Sequence, residues 1–226
     1  MKWPWQKPRA PVVEAYLAAT PRSVPKKTPL TEITFVVLDA ETSGFDIQRN
    51  RILSLALVEV RGLRLRVSSA ESWTVFQPGA VVNKAVAVHG ILPAQTALGR
   101  PEEEVLAELL PRLHGAVVAG HHIGFDRAML DAAMQRHHKT ALRNPTLDTA
   151  ALAMASIEAF ARTAYPGQRE PTLDEVCAQC DFTPVDRHTA EGDAFTTASL
   201  FLSMCARLRR RLDRPLCAAD LPLHDG

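Results

Sequence analysis

The sequence predicts an α/β domain in which a mixed five-stranded sheet, opening with an antiparallel meander, is flanked by helices. Three observations lead there. The β-branched run Ile33-Thr-Phe-Val-Val-Leu-Asp39 reads as a buried strand. Two more strand-like segments, Arg51–Val60 and Glu71–Gln77, follow closely, separated by the turn-like Arg61-Gly-Leu-Arg. Beyond Pro101, helical stretches alternate with short apolar runs, the pattern of a sheet covered by helices.

In chain order, residues 1–30 come first. They hold six of the sixteen prolines, and six basic residues against Glu14 alone. That segment is +5, which leaves the other 196 residues at −4 in a chain of net charge +1. It reads as a loosely packed basic extension with one short helix at Val12–Ala19. The folded domain is expected over 31–213, with 214–226 as a C-terminal tail. After the meander, Pro101-Glu-Glu-Glu opens a helix to about His114, with proline at its start and acids in the first turn. Val117–Ala119 is the fourth strand, and Phe125–His137 a helix with an apolar stripe. Thr146–Thr149 is the fifth strand, followed by an alanine-rich helix to about Phe160. Thr172-Leu-Asp-Glu175 has the form of a capping box, and the last helix runs from near Glu191 through Leu212.

Composition narrows the function. The chain has 226 residues, 46% of them hydrophobic, enough for one compact core. No run of eighteen apolar residues occurs, so no membrane association is expected, and the N-terminus lacks the apolar region of a secretory signal. Four cysteines are too few for a disulfide scaffold and point to a reducing cytoplasm. Cys177-Ala-Gln-Cys180 has ligand spacing but no second pair, so free thiols are a better reading than zinc. A modestly acidic body does not suit gripping duplex DNA by bulk charge. It suits an enzyme that holds cations among carboxylates, as it suits many other enzymes.

Three segments carry candidate chemistry. In Leu38-Asp39-Ala40-Glu41-Thr42-Ser43-Gly44, the alternation of a strand puts Asp39 and Glu41 on one face. Two carboxylates at the end of an apolar strand repel each other and lose hydration, which a divalent cation relieves. The alternative is a pair of solvated acids where the strand frays. In Gly120-His121-His122-Ile123-Gly124-Phe125-Asp126, an aspartate stands at a helix start, either as a ligand or as an acid favoured by the helix dipole. In His188-Thr-Ala-Glu-Gly-Asp193, a loop histidine precedes an aspartate in a first helical turn. Histidine is suited to general-base work near neutral pH, and an exposed loop histidine is the plainer alternative.

Taken together, the order and spacing of these segments resemble the three motifs of the DEDDh, or DnaQ-like, exonuclease family, over residues 33 to 205. Asp39 to Gly44 match its D-x-E-T-x-G, and His188 with Asp193 its H-x4-D. Val88-His89-Gly90-Ile91 resembles its HGI segment, and Thr146-Leu-Asp148-Thr149 the stretch before its middle helix. One departure is His122, where the family often has asparagine.

The resemblance implies an RNase H-like fold. It also implies a 3′–5′ exonuclease in which Asp39, Glu41, Asp126 and Asp193 hold two Mg2+ or Mn2+ ions and His188 is the base. Nucleoside 5′-monophosphates would leave a nucleic acid with a free 3′ end, single-stranded, with DNA favoured over RNA. Thr42, Phe45, His89, Ile91 and His122 match substrate-contacting positions. Phe45 and Ile91 have ordinary core packing as their alternative. The arginines at 207 and 209–211 complement a helix dipole or meet nucleic acid, and His121, His137 and His138 read as surface residues. Other possibilities are an exoribonuclease, a proofreading subunit of a polymerase, or a catalytically silent binding module. The last is disfavoured because all four acids and the histidine are present.

Overall fold

The computed structural model describes residues 9–79, 85–161 and 167–226. Helix α1 (Pro11–Ala19) leads to strand β1 (Thr34–Thr42), then β2 (Ile52–Arg61) and β3 (Arg64–Thr74). The short helices α2 (Val86–His89) and α3 (Pro93–Thr96) precede α4 (Glu102–Arg112), β4 (Val117–Gly120) and α5 (Ile123–His138). The chain continues through β5 (Thr146–Asp148), α6 (Thr149–Ser156), α7 (Glu158–Ala161), α8 (Leu173–Cys180) and α9 (Ala190–Leu212) to β6 (Leu223–His224). The strands form one mixed sheet in the order β3-β2-β1-β4-β5-β6. β1 runs antiparallel to β2 and parallel to β4, so it lies at the centre.

Alternation along β1 builds both cores. Phe35 and Val37 face one side, joining Val58, Val176, Phe201 and Met204 beneath α6, α8 and α9. Val36 and Leu38 face the other, packed with Leu57, Leu106, Leu110 and Met129 beneath α4 and α5. Burial on both faces explains why β1 reads as a continuous apolar run. By the same alternation Asp39 and Glu41 emerge on the α9 side. Thr172 and Glu175 form the expected capping box, each side chain accepting the other's amide. No helix among the described residues is long and apolar enough to cross a membrane.

The structure corrects four expectations. The sheet has six strands among the described residues, not five, because Leu223 and Leu147 pair at its edge; a two-residue strand carries no periodicity to detect. β3 begins at Arg64, seven residues before the expected Glu71. Gly62 and Leu63 both take positive φ, the geometry of a tight hairpin, so pairing starts at once with Arg61 opposite Arg64. As an edge strand, β3 is largely exposed and shows no apolar alternation at this end. His121 and His138 are not surface residues. His121 is half-buried between Thr149 Oγ1 and the Pro171 carbonyl, at 3.1 and 2.9 Å, and His138 is buried.

The fourth concerns the N-terminal segment, whose described part, residues 9–30, is packed rather than loose, residues 1–8 lying outside the described residues. Val13 and Tyr16 are fully buried. The Tyr16 hydroxyl donates to Asn144 Oδ1 and accepts from the Arg143 amide, both at 2.6 Å. Farther on, the Leu30 amide donates to the Leu216 carbonyl, Ala218 to Thr28, Ala219 to Lys26 and Gly226 to Arg22. Residues 22–30 therefore clasp the tail expected at 214–226. Tyr16→Ala opens a cavity and strands both hydrogen-bond partners, so it should destabilise the fold by roughly 3–5 kcal/mol in urea melts. A change below about 0.5 kcal/mol would mean that α1 is dispensable.

Candidate active site

The C-terminal end of β1 meets the first turn of α9. Ligand oxygens of Asp39, Glu41 and Asp193 lie within 4.8 Å of one another. Asp193 is buried and Glu41 half-buried. Asp126, buried in the first turn of α5, approaches from the β4 side, and its Oδ1 accepts the Ala40 amide at 3.1 Å. The fold thus brings three of the predicted acids into one cluster, while the fourth stands beside it with one oxygen committed to β1. Close approach at β4 requires glycine: a Cβ on Gly120 would sit 2.9 Å from the Leu38 carbonyl oxygen.

The loop before α9 carries His188, exposed and at φ +64°. Its amide donates to Asp193 Oδ2 at 3.3 Å. Gly192 makes the tight seat possible, since a Cβ there would fall 2.2 Å from the Asp186 carbonyl oxygen. Two contributors went unnoticed in the sequence. Gly192 is one; its only signal was a glycine in a first helical turn. The other is Arg187, whose guanidinium hydrogen-bonds both Asp193 and Asp174. An arginine adjoining the histidine could have been weighed as the counter-charge that clustered acids need.

The remaining predicted residues surround this centre. Thr42 is buried, and its hydroxyl donates to the Gly44 carbonyl at 3.0 Å. His89 is buried too, with Nδ1 accepting the Ile91 amide at 3.0 Å. Ile91 is half-buried. Phe45 is 88% exposed, its ring 5.7 Å from that of Phe125, so core packing does not account for it. His122 is exposed at the end of β4, with Nδ1 3.5 Å from Glu170 Oε2 and its amide donating to Asp148 Oδ1. Arg209 and Arg210 line a cavity of about 680 Å³ at the far end of α9, away from the carboxylates. All four cysteines are free thiols.

Electrostatics at the cluster are unfavourable for a protein on its own. Burial, then the charges of Asp126, Asp193 and Glu41, push Asp39 well above the usual carboxylate range. Burial and Asp193 push Glu41 up to about 7. Burial likewise raises Asp126 to about 7, against the opposing Ala40 hydrogen bond. Asp193 Oδ1 is buried with no hydrogen-bond partner among the described residues. An orphaned carboxylate oxygen within an all-oxygen donor set fits a hard divalent cation.

These carboxyls bind more protons folded than unfolded. Their cost is absent below about pH 4 and grows as pH rises toward 7. EDTA-treated protein should accordingly melt lower at pH 8 than at pH 5.5, and Glu41→Gln should shrink that difference. Mn2+ should raise the melting temperature more at pH 8 than at pH 5.5. A wild type and a Glu41→Gln variant with the same pH dependence would contradict this account.

Comparison with known proteins fits the geometry. A family model described as an exonuclease, of RNase T type, matches residues 36–201. The epsilon subunit of DNA polymerase III from Aquifex aeolicus is 29% identical over 194 residues, covering 85% of this chain and 90% of its own length. An epsilon-like protein of Rhodobacter capsulatus is 32% identical over 82% of this chain but only 25% of its own length. The PolC-type polymerase III of Thermotoga maritima is 28% identical, and this chain spans 14% of it. Most of the leading curated relatives are thus much longer than the part this chain matches. Among solved structures, E. coli exonuclease I in complex with a dT13 oligonucleotide aligns with a TM-score of 0.61 at 17% identity, over 80% of this chain and 43% of that one. Exonuclease X in complex with 5′ overhanging duplex DNA gives 0.56 at 22% identity, over 76% and 91%. The fold is RNase H-like, and the chain belongs to the DnaQ-like family of 3′–5′ exonucleases.

Proposed function

We propose that the chain removes nucleotides one at a time from the 3′ end of DNA, preferring single strands, and releases nucleoside 5′-monophosphates. The observation that carries this reading is the cluster of Asp39, Glu41 and Asp193, with its buried, unpartnered Asp193 oxygen. DNA is favoured because the relatives named above carry DNA polymerase III names and the two solved neighbours are complexes with DNA.

Asp39, Glu41, Asp126 and Asp193 are the residues to hold two Mg2+ or Mn2+ ions. Such ions, when bound, make water a nucleophile at neutral pH and stabilise charge on the leaving oxygen. His188 takes the proton of the attacking water; its loop position leaves the ring free to swing toward the substrate. The phosphorus–oxygen bond to the penultimate 3′ oxygen breaks, and the strand ends one nucleotide shorter. Phe45 offers an aromatic face to a terminal base, with Thr42, His89 and Ile91 around the terminal sugar and base and His122 helping to position the substrate. The polymerase III names among the relatives also support a proofreading role beside a polymerase, in which this domain would trim a mispaired primer end.

On 5′-labelled DNA with Mg2+ or Mn2+, a ladder shortening from the 3′ end is expected, abolished by EDTA and by Asp39→Ala. Persistence of the ladder in EDTA would rule out the metal-dependent reading. His188→Ala should lower kcat by about 10²- to 10⁴-fold while Mn2+ still binds. Phe45→Ala should leave cleavage chemistry intact and weaken substrate binding by about 1–3 kcal/mol, read as a raised KM. An unchanged KM would remove Phe45 from the substrate site.

A further inference from the structure

Arg187 is neither a candidate ligand nor a candidate base, yet it is the best-anchored polar side chain at the cluster. Its side chain is 21% exposed and reaches between two helices. Nε donates to Asp174 Oδ1 at 2.6 Å and Nη2 to Asp174 Oδ2 at 3.2 Å, a two-pronged grip on the first turn of α8. Nη1 donates to Asp193 Oδ2, on the first turn of α9. The His188 amide donates to that same oxygen. The two oxygens of Asp193 are thereby made unequal: Oδ2 takes both donors, and Oδ1 is left buried with none. Burial works against the guanidinium charge, but the bonds to Asp174 and Asp193 outweigh it and hold the group firmly protonated.

We propose that Arg187 is a positioning residue that orients Asp193 for metal binding, committing Oδ2 to the protein so that Oδ1 is the oxygen offered to the ion. The inference rests on the proposed metal-dependent reading of the same site. A planar guanidinium is suited to the task because one rigid fork spans two carboxylates in fixed directions, which a lysine ammonium cannot do. Asp174 supplies the other end, so the carboxylate orientation is referred to α8 as well as α9. Partners of this kind, beyond the ligands themselves, typically contribute 10- to 100-fold to metal affinity. A guanidinium that served only as counter-charge would act in the opposite sense, since a cation beside the cluster repels an incoming cation.

The opposing signs give the test. The full chain, stripped with EDTA, is titrated with MnCl2 by calorimetry, with no nucleic acid present. Arg187→Met should weaken Mn2+ binding by about 10- to 100-fold, and Arg187→Lys should fail to restore it. Asp174→Asn, at an exposed position, should weaken it by a smaller factor. Tighter Mn2+ binding by Arg187→Met, with Arg187→Lys like wild type, would make the residue a counter-charge only and overturn the assignment. A fall in melting temperature with unchanged Mn2+ affinity would make it a strut for the loop and overturn it equally. Wild-type protein that takes up no Mn2+ would overturn the metal reading and this one together, whereas wild-type binding left unaltered in every variant would overturn this one alone.

Discussion

β1 lies between β2 and β4 with helices packed on both faces, and its C-terminal end delivers the half-buried Asp39 and Glu41 to the first turn of α9. Asp193 and Asp126 arrive there from helices on opposite sides of the sheet. Mutual repulsion among these carboxylates, sharpened by burial, is the constraint that the surrounding structure has to contain. The protein answers it with a backbone amide from Ala40, the guanidinium of Arg187 and a raised affinity for protons. None of these removes the strain as fully as a divalent cation would, because each leaves Asp193 Oδ1 buried and unpartnered. Strain of this sort is tolerable only on a rigid frame, and the central strand with its two apolar cores supplies one.

The cluster was legible because β-alternation fixes the relation of Asp39 to Glu41 without any tertiary information, whereas His188 and Asp193 were found through their resemblance to the family's H-x4-D motif. The central strands were readable for a similar reason. Buried on both faces, they must be apolar throughout, and apolar runs stand out. Outside this frame the signal failed where burial was decided by distant partners. Tyr16 is held by Asn144 and Arg143, and no local pattern in a proline-rich, basic segment announces such contacts. His121 was misplaced for the same reason, its ring being sandwiched between Thr149 and Pro171. β6 is too short to show a period, and the start of β3 is exposed because it lies at the sheet's edge.

Arg187 illustrates a different kind of illegibility. Its neighbour in the chain, His188, draws attention because its residue type is versatile, whereas arginines in loops are commonplace. What distinguishes Arg187 is the pair of acids it meets, Asp174 thirteen residues before it and Asp193 six after. Gly192 is similar: its value lies in the Asp186 carbonyl that a side chain would strike, and the fold alone brings the two together.

The clasp between residues 22–30 and 216–226 bears on the order in which the molecule is assembled. Arg22 and Gly226 are 204 positions apart, so their bonds close a loop that encloses nearly the entire domain. Closing so large a loop is entropically expensive unless the intervening chain is already compact. The β1–β2 hairpin, by contrast, needs only a short closure and can form as soon as residue 61 is available. The clasp accordingly depends on the rest of the domain being compact, whereas the β1–β2 pairing that carries Asp39 and Glu41 is local in the chain.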